Sequence, residues 1–183
     1  MCQKKHRQNN KGFSIVELIV VVAIMSVMIG AISITYTVVK RTNVTKAART
    51  IDDLLTTCRE KAMTNSAKEW KVVIDDHTAK IIKVDSEGNE IEIESAELPS
   101  NIEVYVSEVS VSEDDEVKAG AYYAKDKPIS ISFKLLSGEV SSVYAEETII
   151  KGESTNCGIV CEYKNKKRST ITLYYATGKH TID

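Results

Sequence analysis

A run of 22 residues without a charged side chain, LIVVVAIMSVMIGAISITYTVV from Leu18 to Val39, constrains this chain more than any other feature. As a helix it spans about 33 Å, which matches the hydrocarbon thickness of a bilayer. Lys40 and Arg41 close it sharply, and Glu17 stands at its other end. Three uses of such a segment compete. It can be a plain single-pass anchor. It can be a secretory signal, since Gly30-Ala31-Ile32-Ser33 offers small residues at the spacing a signal peptidase requires, with release after Ser33. Or it can be an anchor whose cut falls ahead of the apolar run.

The flanking charge gives the segment a direction. Residues 1–12 hold Lys4, Lys5, Arg7 and Lys11 and no acid. The chain has 24 basic side chains, so 20 remain outside this stub against 26 acidic ones. A positive stub ahead of an apolar run stays cytoplasmic and sends the acidic remainder outward. The formal net charge of -2 argues against a general nucleic-acid binder. A length of 183 residues suits one modest domain plus an anchoring segment.

Glu17 separates the three uses. A lone carboxylate in an apolar helix costs on the order of 2 to 3 kcal/mol by insertion scales, and less near an end. A helix N-terminus favours an anion by roughly 0.3 to 1 kcal/mol. That softens the penalty without giving a reason for the charge. Neither a secretory signal nor an inert anchor gains from it.

The residues Lys11-Gly12-Phe13-Ser14-Ile15-Val16-Glu17-Leu18 resemble the type IV prepilin signal: a short basic leader ending in Gly, then Phe, a small polar residue, aliphatics, and Glu as the fifth residue after the cut. The resemblance implies cleavage between Gly12 and Phe13 by a membrane aspartic prepilin peptidase, with N-methylation of the new Phe13 amine. Glu17 would then pair with the Phe13 amine of an adjoining subunit during assembly. A buried charge needs such a partner present, and polymerisation supplies it.

Beyond Lys40, Val44, Ala47, Ala48, Ile51, Leu54, Leu55, Cys58, Ala62 and Met63 recur in steps of three and four. They form one stripe of an amphipathic helix, with Lys46, Arg49, Asp53, Arg59 and Glu60 opposite. No Pro or Gly interrupts residues 31–65, so one helix is expected from Phe13 to about Asn65, roughly 80 Å long. After Trp70 the pattern becomes short β-branched runs. Trp70 to Ile74 and Ala79 to Val84 flank Asp75-Asp76-His77-Thr78 as a hairpin, and Glu90 to Glu94 follows Ser86-Glu87-Gly88-Asn89. Ile129, Ile131, Phe133 and Leu135 alternate with polar residues, and Val140 to Tyr144 forms a further run. Gly158 to Lys164 and Ser169 to Tyr175 straddle Asn165-Lys166-Lys167-Arg168, a basic hairpin tip.

The expected fold class is therefore α+β, a pilin-like lollipop with one long N-terminal helix packed on an antiparallel β-sheet domain. Its parts are a cleaved leader (1–12), a transmembrane and assembly half of the helix (13–39), an amphipathic half (40–66) and an extracytoplasmic β-rich domain (67–183). Leu98-Pro99-Ser100-Asn101-Ile102 ahead of a strand, Ile131-Ser132-Phe133 followed by Ser137-Gly138, and Ala176-Thr177-Gly178 near the end resemble, in short stretches, FimT/GspH-like minor pilins and pseudopilins.

Cys2 lies in the leader. Cys58, Cys157 and Cys161 remain, as buried thiols or with one structural disulfide among them. On a single strand, Cys157 and Cys161 would sit about 13 Å apart, beyond the roughly 7 Å a disulfide allows. A four-residue spacing also cannot close the long C-terminal loop that major pilins often staple, which favours a minor subunit. His6, His77 and His180 show no ligand spacing, so no metal or cofactor is called for. Glu113-Asp114-Asp115-Glu116 could hold calcium, as some pseudopilins do, but reads first as a solvated acidic loop. The tip from Lys164 to Arg168 could touch DNA, as some minor pilins serve in DNA uptake, but reads first as solvated. Tyr122-Tyr123 and Tyr174-Tyr175 read as sheet residues. No nucleophile elbow, phosphate loop or paired catalytic acids can be placed, so an enzyme is not expected.

The function expected is a structural subunit of a type IV pilus, type II secretion or competence filament. Its partners would be other pilin subunits, the prepilin peptidase, the inner-membrane assembly platform and the cytoplasmic membrane. The alternative is an anchored or fibre-tip binding module that recognises DNA, a surface or secreted cargo.

Overall fold

The computed structural model describes residues 14–107, 121–145, 148–149, 155–164 and 167–183, and side chains for all of these except 31–37, 40–41, 148–149 and 167. The leader, Gly12, Phe13, the acidic run 113–116 and tip residues 165–166 lie outside the described residues. Two compact units emerge, Met1–Val39 and Lys40–Asp183.

One α-helix, α1, covers Ile15–Thr64, within a residue of its expected C-terminal end. In the second unit its stripe of Val44, Ala47, Ala48, Ile51, Leu54, Leu55, Cys58 and Ala62 is buried. Met63 departs from the expected stripe. It is 38% exposed, with its side chain beside Gly138.

The strands are antiparallel and form two sheets. The first holds β1 (Glu69–Ile74), β2 (Thr78–Val84), β3 (Glu90–Glu97), β6 (Ile129–Phe133), β7 (Val140–Ala145) and β8 (Thr148–Ile149), in the order β3-β2-β1-β6-β7-β8. The second holds β4 (Glu103–Ser107), β5 (Tyr122–Tyr123), β9 (Asn156–Tyr163), β10 (Lys167–Tyr174) and β11 (His180–Ile182), in the order β11-β10-β9-β4-β5. Alternation set the faces as a half-buried strand requires: Trp70, Val72 and Ile74 are buried, while Lys71 and Val73 are only partly so. The β1–β2 hairpin turns where expected, with the Asp75 N–H donating to the Thr78 carbonyl (2.8 Å). One apolar cluster contains the helix stripe and the inner faces of both sheets, including Ile131, Phe133, Ile159, Ile171 and Leu173.

Cys58, Cys157 and Cys161 are free thiols, all buried in that cluster. Cys157 and Cys161 both lie within β9, with no turn at Gly158 between them. Burial pushes their pKa up from the ordinary 9.0, to about 12 for Cys58, about 11 for Cys157 and about 12 for Cys161. Folded thiols thus keep their protons to higher pH than unfolded ones. The stability they allow is fully present below pH 9.0 and is lost as pH rises through 11 to 12. Each thiol costs about 1.4 kcal/mol per pH unit in that window, so three together cost about 4 kcal/mol per unit. Urea midpoints should fall steeply above pH 9.0, and Cys161→Ala should shallow that fall. An unchanged slope in the variant would remove the thiols as its cause.

Two turns lock the sheets to the end of α1. In the β6–β7 turn, the Leu136 N–H donates to the Ala62 carbonyl (3.0 Å). In the β10–β11 turn, the Thr177 carbonyl accepts from Arg59 Nε (3.1 Å). The turns also meet each other: Gly138 and Gly178 are both buried, both have positive φ (68° and 62°), and a Cβ on Gly178 would lie 1.9 Å from the Gly138 carbonyl oxygen. His180 adds a third tie, with Nε2 3.2 Å from Asp52 Oδ1 and 3.0 Å from Thr56 Oγ1.

Candidate functional site

The first unit offers one candidate, the N-terminal stretch of α1. Ser14 caps it. Its hydroxyl accepts from the Val16 N–H (3.3 Å), and its carbonyl accepts from the Leu18 N–H (3.1 Å). A serine there satisfies a backbone donor that the first helical turn leaves unpaired. Ser14 and Glu17 have the spacing of a capping box, in which the acid would reach back to the cap residue's own N–H. That spacing was readable in the sequence and supplies a local reason for an acid at this position. Yet Glu17 makes no hydrogen bond or ion pair among the described residues, and it is exposed.

The surroundings of Glu17 are apolar on every side. Ile15 (77%), Val16, Leu18, Ile19, Val22, Ile24, Met25, Val27, Met28 and Ile29 are all exposed in the single chain. A helix that is apolar all round is a buried helix, and a contiguous apolar surface of this length marks an interface with lipid or protein. Ser26 hides its hydroxyl by donating to the Val22 carbonyl (2.8 Å), and a Cβ on Gly30 would meet nothing within 4 Å. Among the described residues no helix is long and apolar enough to cross a membrane. The run expected to cross, 18–39, includes residues 31–37, whose side chains lie outside the description.

Residues 7–33 match the family of the prokaryotic N-terminal methylation motif. The chain carries the type IV prepilin signature. The matched residues contain Gly12, Phe13 and Glu17, and the motif supports a type IV pilin-like subunit processed by prepilin peptidase, with pilin subunits and that peptidase as its partners. The helix and antiparallel strands of this prepilin-like chain make an α+β fold consistent with a pilin. No characterised protein and no solved structure matches the chain.

The remaining sequence candidates fall in different places. Among the described residues no group of three or more His, Cys, Asp and Glu side chains could hold a metal ion. His77 lies 3.2 Å from its exposed neighbour Asp76, and His180 is taken up by the helix. Tyr122 and Tyr123 form β5, Tyr174 ends β10, and Tyr175 is buried. The basic tip needs correction. Lys167 and Arg168 belong to β10, and Arg168 Nε donates to Glu162 Oε2 at 2.9 Å on the neighbouring strand. Glu162 is 4% exposed and also accepts from the Tyr105 hydroxyl (3.0 Å). Burial, and then that bond to the Glu162 carboxylate, push the Tyr105 pKa above the usual tyrosine range. Of the two ends of the expected tip, Lys164 is exposed while Arg168 is committed to the fold. The pair lay hidden because cross-strand register, not spacing along the chain, sets Arg168 opposite Glu162.

Proposed function

We propose that this prepilin-like chain is a minor structural subunit of an extracytoplasmic filament, of the type IV pilus, type II secretion or competence class. Residues 1–12 are removed between Gly12 and Phe13, and the new Phe13 amine is methylated. The helical segment 13–39 holds the subunit in the cytoplasmic membrane, with the β-rich part outside. Residues 40–66 and 67–183 then form the part displayed beyond the membrane. On assembly the segment leaves lipid for a bundle of like segments, and Glu17 meets the Phe13 amine of a neighbour.

One observation carries this reading: an exposed carboxylate, unpartnered among the described residues, inside an apolar helical stretch that carries the methylation motif. In lipid such a charge is unfavourable, and in a filament it gains a hydrogen-bonded counter-charge. The gain exists only between subunits, so it favours assembly over the isolated state.

Intact mass and N-terminal sequencing of the membrane-associated protein test the reading. A start at N-methylated Phe13 is expected; a start at Ile34 or an uncut Met1 would overturn it. Glu17→Ala should be cleaved about as well as the parent, while its recovery in sheared filaments drops roughly tenfold or more. Normal incorporation of Glu17→Ala would remove the pairing role.

A further inference from the structure

Strand β3 forms one edge of the six-stranded sheet, paired with β2 on one side and with no strand on the other among the described residues. All its residues are exposed except Ala96, which is half-buried, so its outer row of backbone donors and acceptors faces solvent. The turn that leads into it is well ordered by its own bonds. Asp85 accepts from the N–H groups of Glu87 (2.9 Å) and Asn89 (2.8 Å), and Gly88 supplies a φ of 93°. A long, open edge held in strand geometry is a template for another strand.

Its side chains restrict what can be added. Glu90, Glu92, Glu94 and Glu97 alternate in part with Ile91 (44% exposed) and Ile93 (41% exposed). Lys71 pairs with Glu90 (2.5 Å) and Lys80 with Glu92 (3.2 Å), which holds those carboxylates along the strand. Glu94 and Glu97 make no ion pair among the described residues. Two β3 strands placed edge to edge would set acid against acid, which disfavours a second copy of this edge. The bulge where the β2 register shifts between Ile81 and Ile82 acts the same way, since bulges blunt self-pairing. Acids alone would suffice to keep the edge solvated. The two isoleucines work against that, because they leave apolar surface on an edge otherwise built to stay in water.

We propose that β3 is a docking edge for an extended, basic segment of a partner protein, which adds to the sheet as a further strand. Backbone bonds along the outer row supply attachment, the isoleucines meet apolar side chains of the incoming strand, and the glutamates select lysine or arginine between them. Self-association and acidic partners are rejected by the same charges.

The mature full-length chain in a neutral detergent tests this, with fluorescence anisotropy of a labelled peptide of alternating Lys and Val, matched in length to β3 and corrected for empty micelles. Saturable binding is expected, with the matching Glu–Val peptide at least about tenfold weaker. Glu94→Lys/Glu97→Lys, changed only at exposed positions, should lower affinity for the Lys–Val peptide at least about tenfold while keeping its circular dichroism and melting point. Hydrogen exchange should slow at the amides of residues 90–97 when the peptide is bound. Absence of saturable binding, equal binding by the charge-reversed variant, or binding without slowed exchange in β3 would each overturn the proposal.

Discussion

Gly178→Ala is expected to cost the β-rich unit more than about 3 kcal/mol and to leave it unfolded or barely folded. Two effects add. A φ of 62° strains any residue with a Cβ, at about 1 kcal/mol. The larger effect is contact: the new Cβ would sit 1.9 Å from the Gly138 carbonyl oxygen and 3.1 Å from Arg59 Nε. That oxygen belongs to backbone, so it cannot swing aside as a side chain would. Moving it would disturb the β6–β7 turn, which itself holds the Ala62 carbonyl at the end of α1. Gly138→Ala should cost less, because its nearest obstacle at 2.9 Å is the side chain of the partly exposed Met63. Gly88→Ala should cost about 1 kcal/mol, since its new Cβ meets only Lys68 Nζ at 3.9 Å. Urea midpoints of the three variants check the order. A Gly178→Ala protein as stable as Gly88→Ala would show that the two turns are free to part.

Breaking the Glu162–Arg168 pair from one side should cost about 3 to 5 kcal/mol. Arg168→Met removes the guanidinium that donates to a carboxylate only 4% exposed, while the Tyr105 hydroxyl keeps its bond to the same oxygen. The penalty is that of a buried carboxylate losing its guanidinium rather than the worth of the pair itself. The double change Glu162→Leu/Arg168→Met should therefore recover most of the loss, since replacing both ions by apolar groups is often near neutral. Tyr105 would then lack its acceptor, so adding Tyr105→Phe should recover more. Chemical denaturation of the single, double and triple variants reads the coupling. If the double variant is as unstable as the sum of the two singles, the pair is not a closed unit.

Much of this architecture could be read along the chain because its signals are local. The end of α1 followed from periodicity and from the absence of Pro and Gly, and Val44 to Ala62 proved to be the buried stripe. Most strands followed from β-branched alternation. Tyr122-Tyr123, read as sheet residues, form β5, but the short strands β8 and β11, at two and three residues, carry too little pattern to be seen. The division into two sheets was also hidden, because strand pairing depends on contacts remote in sequence: β1 finds β6, and β4 finds β9. Ser137-Gly138 and Ala176-Thr177-Gly178 were visible only as short resemblances, and the folded chain brings them into backbone contact.

The N-terminal segment is the opposite case. Its motif of Gly12, Phe13 and Glu17, and the uncharged run that follows, were decided by composition and order alone, since hydrophobic transfer and a lone charge act without any fold around them. Where Arg168, His180, Gly178 and the open edge of β3 stand was decided only in three dimensions, because a cross-strand partner, a helix clasp, a close backbone approach and an unpaired edge have no counterpart in residue spacing.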